Sequence, residues 1–201
     1  MNKAQLRANA RRQPVSAKKA DAVQRRLLSE DWWPAAFRVG LYCATATEPA
    51  TDLLMRDLLS RRAQVAVPKA RRTGYGWCEV DDETQWQNGP HDILEPVQSR
   101  WVSADALRVI VVPGVAFDLQ GGRLGHGGGH YDRLLQHTGA LLVGMTFETR
   151  LVAAVPQASH DVRMDVIVTE KRIRHAAGAE QKMARLLAGW NATDGEEWRG
   201  T

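Results

Sequence analysis

The chain has 201 residues and a net charge of +4, from 27 Lys and Arg against 23 Asp and Glu, a length that suits one domain with a core sizeable enough to need no disulfide support. With 44% hydrophobic and 25% charged residues it has the make-up of a globular protein; no apolar run reaches membrane-spanning length and the amino terminus is polar and basic rather than signal-like, so a cytoplasmic protein away from membranes is expected. Two cysteines, Cys43 and Cys78, are too few for a cysteine-rich zinc site or a disulfide framework and are read as packing residues.

In chain order, Lys3 to Arg12 holds good helix formers, with Lys3, Arg7 and Arg11 at four-residue spacing, so one helical face carries three cations. Such a face suits plain solvation or a polyanion. Lys18, Lys19, Arg25 and Arg26 extend the basic region against Asp21 alone. A basic arm fits nucleic acid or a polyanionic small molecule, and the lack of a nucleic-acid module or an aromatic-interleaved basic stripe favours the small molecule. Ser16 is a candidate N-cap for a second helix with Ala20, Val23 and Leu27 on one side, ending before Trp32-Trp33-Pro34.

Strands and helices then alternate. Phe37 to Cys43 reads as a strand, Thr51 to Arg61 as a helix, and Gln64 to Val67 as a strand closed by Pro68, the rhythm of a βαβ unit with a parallel sheet. Trp77 to Val80 suggests a short strand, and Asp81 to Arg100 reads as irregular and proline-punctuated. The β-branched run Leu107 to Val112 is a buried strand ending at Pro113. Ala140 to Phe147 and Asp165 to Val168 are further strands, Glu180 to Leu187 is a terminal helix, and Asn191 to Thr201 is a polar tail behind a single domain spanning 1–190. Trp32, Trp33, Trp77, Trp86, Trp101, Trp190 and Trp198 are assigned to packing, and His91, His137 and His175 to surface or packing positions.

Between the central strand and a helix starting near Tyr131-Asp132-Arg133-Leu134-Leu135 lies a loop with glycine at 125, 127, 128 and 129. Glycines permit positive φ and close approach, and successive N–H groups beside a helix start form an anion-binding nest. They also serve a simple tight turn. The loop lacks the Gly-Lys-Ser/Thr of a Walker A motif and the spacing of the dinucleotide fingerprint. Arg123, His126, His130, Tyr131 and Asp132 in the same stretch favour the phosphate cradle, since cations suit phosphate and a carboxylate suits magnesium.

The segment Pro113-Gly114-Val115-Ala116-Phe117-Asp118, followed by Arg123-Leu124-Gly125-x-Gly-Gly-Gly-x-Tyr131-Asp132-Arg133, strongly resembles the 5-formyltetrahydrofolate cyclo-ligase family, also called 5,10-methenyltetrahydrofolate synthetase. Shorter stretches agree in order: Lys3-x-x-Leu6-Arg7, Glu48-x-x-Thr51, Glu95-Pro96, and His160-Asp161-Val162-x-x-Asp165 before Val168-Thr169. The resemblance implies a three-layer α/β/α fold with a mostly parallel, Rossmann-like sheet. It implies a monomeric enzyme that uses ATP and magnesium to cyclise 5-formyltetrahydrofolate through a phosphorylated formyl group, with no nucleic-acid partner.

By the same resemblance, ATP would meet Lys3, Arg7, Arg123, Leu124, Gly125, His126, Gly127, Gly128, Gly129, His130 and Tyr131. The folate would meet Cys43, Glu48, His126, His130 and Gly127 to Gly129, with Arg123, His126 and Tyr131 catalytic. Asp132 and Asp165 would hold magnesium. His126 and His130 stand where many relatives carry an aromatic, arginine or another residue, and Gly128 where some carry lysine, so the two histidines are either ligand contacts or variable loop positions. His160-Asp161 is read as a structural turn. Alternatives are a divergent paralogue, a basic nucleic-acid-binding protein, and a sugar-phosphate isomerase or coenzyme A transferase of similar architecture.

Overall fold

The computed structural model describes residues 2–11, 16–136, 138–159 and 161–189. Arg12, His137, His160, Trp190, Trp198 and the tail expected from Asn191 lie outside the described residues. In chain order the elements are α1 (Lys3–Arg11), α2 (Ala17–Leu28), β1 (Arg38–Gly40), α3 (Asp52–Ser60), β2 (Gln64–Arg71), β3 (Gly74–Val80), β4 (Trp86–Asn88), β5 (Leu94–Pro96) and β6 (Trp101–Val102). They continue as β7 (Val109–Val112), β8 (Ala116–Phe117), β9 (Arg123–Leu124), α4 (His130–Leu134), β10 (Leu141–Met145), β11 (Val166–Val168), β12 (Ile173–His175) and α5 (Ala179–Leu187).

An eight-stranded sheet runs β12-β11-β10-β7-β1-β2-β3-β6. Its five middle strands are parallel, and β12, β3 and β6 join the two edges antiparallel. All four residues of β7 are buried, as a strand covered on both faces requires, which explains its unbroken β-branched run. Alternate strand residues divide the core. Val39, Val65, Val67, Val109, Val111 and Val143 pack with Val23 and Leu27 of α2, Leu54 and Leu58 of α3, and Leu186 of α5. Ile110, Val112, Leu142 and Ile167 meet Trp77, Leu107, Phe117, Leu134 and Leu135. The expected layering is therefore asymmetric: three helices cover one face, while the five-residue α4 and connecting segments cover the other.

Several boundaries differ from the sequence expectation, each for a tertiary reason. β2 does not close at Pro68 but continues to Arg71. Leu41 donates to the Ala66 carbonyl, so the missing N–H of Pro68, two residues on, points to the side where β1 has already ended and no ladder bond is lost. β1 itself is shorter than expected, because the chain beyond Gly40 turns away to build the Tyr42–Glu48 segment. The stretch from Asp81 to Arg100 contains the β4–β5 hairpin, anchored by buried Lys69, whose Nζ donates to Val97 O at 2.7 Å, Gln98 O at 3.0 Å and Ser99 Oγ at 2.9 Å. Ser16 sits at the N-cap of α2 without a side-chain cap bond. Gln24 of α2 instead caps α3, its Oε1 accepting from Leu53 N at 2.8 Å, while Thr51 turns its hydroxyl to Tyr42 O at 2.8 Å.

Candidate active site

The sheet order places β10 on one side of β7 and β2 on the other side of β1, so successive connections diverge between β7 and β1. Open α/β sheets bind ligands at such a switch point, beyond the carboxyl ends of the strands. A cavity of about 580 Å³ lies there, reached by Tyr42 and Cys43 after β1, Pro68 in β2 and Pro113 after β7. Lys3, Arg7, Glu48, Arg123, Leu124, Gly125 to Gly129, His126, His130, Tyr131 and Asp132 all line it. Residues separated by more than a hundred positions are thus gathered into one wall.

The loop after β9 is shaped by glycine at two left-handed positions, Gly127 at φ +111° and Gly129 at φ +64°. Among the described residues, the N–H groups of Gly125, His126, Gly127, Gly128 and Gly129 donate to no protein acceptor. These residues are half-buried or exposed and line the cavity, so their open N–H groups are available to an anionic ligand. The following helix adds less than expected, because α4 spans little more than one turn.

Cations complete this wall. Arg7 Nε donates to Gly125 O at 2.9 Å, and Lys3 Nζ pairs with Asp161 Oδ2 at 2.8 Å, which turns the basic face of α1 inward. Leu6 of the same helix packs on Ala116, Leu124 and Val155. Arg123 is 4% exposed at its side chain and its Nη2 lies 2.7 Å from Asp132 Oδ1. Its Nε is buried with no partner among the described residues, and its guanidinium carbon lies 5.7 Å from the Tyr131 ring centroid.

The opposite side is built by the Thr45–Glu48 turn. Glu48 Oε2 accepts from Thr45 N and Thr45 Oγ1, both at 2.9 Å, and its Oε1 lies 3.7 Å from His126 Nε2. Burial alone would push the Glu48 carboxyl up, but His126 and the Thr45 donors outweigh it and hold its pKa below the usual carboxylate value. Burial pushes the Cys43 thiol up to about 12, aided by Glu95, so Cys43 is a neutral wall and not a nucleophile. Burial likewise raises the Tyr131 phenol, with Glu48 and Cys43 adding to it, and leaves an O–H donor at neutral pH. His130 is shifted down by burial, Arg133 and His91, which favours the neutral ring.

Asp165 is not brought to this site. It precedes β11 and sits at the amino end of the parallel strands, the edge opposite the glycine loop, where its Oδ2 accepts from Leu142 N at 2.8 Å and pairs with Lys182 Nζ at 2.7 Å. Asp132 and Asp165 therefore do not form a carboxylate pair, and the sequence assignment of Asp165 to a metal is corrected to a strand-end anchor. Among the described residues no group of three or more His, Cys, Asp or Glu side chains is placed to hold a metal ion.

Four contributions were not read from the sequence. His91, assigned to surface or packing, is exposed yet lines the cavity from the tip of the β4–β5 hairpin. Thr45 holds Glu48. Asp161 holds Lys3. Arg150, 4% exposed, donates from Nη1 to Thr47 O at 2.5 Å and so braces the turn that carries Glu48. His91, Asp161 and Arg150 act across long stretches of chain, while Thr45 lies three residues from Glu48 in a turn that no motif announces; the place of Asp161 within a family stretch was the single available signal.

Comparison with known proteins identifies relatives of the chain and of its fold. The profile of the 5-formyltetrahydrofolate cyclo-ligase family matches residues 2–170. A 5-formyltetrahydrofolate cyclo-ligase of Mycolicibacterium smegmatis is 31% identical over 144 residues, covering 65% of this chain and 72% of the relative. One from Haemophilus influenzae is 39% identical over 143 residues, covering 66% and 76%. Among solved structures, Aquifex aeolicus 5,10-methenyltetrahydrofolate synthetase superposes with a TM-score of 0.79 at 31% identity, covering 88% of this chain and 94% of that one.

Proposed function

This chain belongs to the 5-formyltetrahydrofolate cyclo-ligase family, and we propose that it is the ATP- and magnesium-dependent enzyme that closes 5-formyltetrahydrofolate to 5,10-methenyltetrahydrofolate. The observation that carries the reading is one cavity in which open main-chain donors and the cations Lys3, Arg7 and Arg123 face the ionised Glu48. An anion-binding wall and an acceptor for amino and ring N–H groups are what a nucleotide triphosphate and a pterin need side by side.

The chemistry explains the need for ATP. The formyl oxygen on N5 is a poor leaving group. Transfer of the γ-phosphoryl to that oxygen breaks the bond to the bridging oxygen, releases ADP and leaves an N5 iminium phosphate. N10 attacks the formyl carbon and loses its proton; the carbon–oxygen bond then breaks and phosphate departs with the electron pair. The protein's task is alignment and charge stabilisation.

In this reading the N–H groups of Gly125 to Gly129 with Lys3, Arg7 and Arg123 hold the phosphates, and Leu124, His126, His130 and Tyr131 complete that wall. Glu48 orients the pterin while Cys43 and Gly127 to Gly129 enclose it. Tyr131, protonated, donates toward the transferring oxygen, and His126 reaches the space between Glu48 and the loop. The residues present fit magnesium only as an ion carried largely by phosphate oxygens and water, with Asp132 as the carboxylate beside the glycine loop, since Glu48 is held by Thr45 and Asp161 by Lys3. Bound there, magnesium would neutralise charge on the transferring phosphoryl group. Lys3 and Arg7 turned into the cavity disfavour the nucleic-acid arm, since their charge is not on an open face.

The test is an absorbance assay for methenylfolate from 5-formyltetrahydrofolate with and without ATP and magnesium. Product is expected only with both, and equal turnover without ATP sinks the reading. In the same assay Asp132→Asn is expected to lose at least ~100-fold, the scale of ~2.7 kcal/mol; retained turnover with unchanged magnesium dependence would reduce Asp132 to a partner of Arg123.

A further inference from the structure

Arg150 closes the short helical turn Glu148–Arg150 that follows β10, at the carboxyl edge of the sheet. It reaches the turn that carries Glu48 without lining the cavity. Its surroundings suit a cation poorly. The residue is 4% exposed, its Nε is buried with no hydrogen-bond partner, and among the described residues it forms no ion pair. Its contacts there are the Thr47 carbonyl, 2.5 Å from Nη1, and the Phe147 ring, whose centroid lies 5.3 Å from the guanidinium carbon. Glu148, two residues away, is taken by Arg172 and by Thr169 Oγ1, the latter at 2.7 Å. Burial holds the Arg150 guanidinium below its usual pKa, and Glu48 and then Tyr42 draw it back up.

A buried guanidinium without a carboxylate partner is a net cost to folding, because its lost hydration is not offset. The Thr47 carbonyl does not require it either, since Thr47 is exposed and water can satisfy that oxygen. Stability therefore gives no reason for an arginine here. The site does. Thr47 O and Glu48 N belong to one planar peptide group, so a bond to that oxygen fixes the plane from which the Glu48 side chain departs. We propose that Arg150 is a positioning residue: it locks the Thr47–Glu48 peptide and lends its positive charge to Glu48, so that the carboxylate stays ionised and aimed into the cavity. This rests on the cyclo-ligase reading for what Glu48 binds, while the hold on the turn stands independently of it.

The experiment compares wild type with Arg150→Met, which removes charge and donor but keeps an unbranched apolar chain, and with Arg150→Lys, which keeps both. In Arg150→Met the KM for 5-formyltetrahydrofolate is expected to rise about tenfold or more, the scale of one hydrogen bond to a charged group. The KM for ATP and the Tm are expected to stay at the wild-type values, and Arg150→Lys to recover most of the folate KM. An unchanged folate KM in Arg150→Met overturns the proposal. So does a lowered Tm with both KM values raised, which is the mark of a merely structural residue. Hydrogen exchange reads the turn without turnover. The Thr45 amide, which donates to Glu48 Oε2 at 2.9 Å, is expected to exchange about tenfold faster in Arg150→Met while the β7 amides are unchanged; equal exchange at Thr45 overturns the proposal. Should wild type neither bind nor turn over 5-formyltetrahydrofolate, the cyclo-ligase reading fails, and exchange at Thr45 still decides whether Arg150 holds the turn.

Discussion

At the scale of single residues, Glu48 shows how a buried carboxylate stays charged. Burial works against ionisation, and two Thr45 donors with His126 reverse it. Because the folded pKa is depressed, the ionised form and the stability it contributes persist above the ordinary value, about 4.3, and are lost as pH falls through the lower folded value. Thr45→Ala removes the hydroxyl donor at 2.9 Å while leaving the main-chain one. The KM for the folate is therefore expected to begin rising at a higher pH in Thr45→Ala than in wild type. A pH profile of KM that is superimposable for the two proteins would show that the hydroxyl does not tune Glu48. Lys3, Arg7 and the glycines were legible as a basic helical face and a permissive loop because their spacing is local, whereas Glu48 was named only through the family resemblance. His91, Asp161 and Arg150 were not, because their partners are distant in the chain, and Thr45 was not, because only the turn it makes with Glu48 aims its donors at that carboxylate.

At the scale of elements, α1 behaves as a clamp on the glycine loop. Its apolar side packs through Leu6, and its basic side reaches Gly125 O and Asp161. Lys3→Ala with Arg7→Ala is expected to weaken binding of a non-hydrolysable ATP analogue by at least ~100-fold, since each charge-assisted contact to phosphate contributes roughly 1.5–3 kcal/mol. The unliganded protein is expected to lose much less, because the Lys3 pair is partly exposed, at 34% and 11%. Calorimetry on both proteins checks this, and an unchanged dissociation constant would return α1 to a solvated helix. The β4–β5 hairpin is the contrasting case. Its sequence carries weak strand signals, and it is held by Lys69, Glu95 and the Glu95 contact to Ala70 N at 3.0 Å rather than by its own pattern.

At the scale of the whole molecule, the thinly helical face of the sheet depends on aromatic rings packed over strand glycines. A Cβ on Gly144 of β10 would meet Phe117 Cε1 at 2.5 Å, and Phe117 lies in β8, paired with the strand that carries Arg123. Gly144→Ala is expected to cost about 1–3 kcal/mol by overpacking, a fall in Tm of about 3–10 °C at this chain length. Scanning calorimetry checks it, and an unshifted Tm would mean that the ring moves aside freely. The α/β class, the buried central strand, the parallel middle of the sheet and the glycine-rich turn before α4 were determined by the sequence, because periodicity, β-branched runs and glycine spacing act over a few residues. The continuation of β2 through Pro68, the capping of α3 by Gln24, the second carboxylate's removal to the far edge and the place of Arg150 against the Glu48 turn were decided by tertiary structure. These depend on which strand ends beside which, a relation between segments that no local pattern encodes.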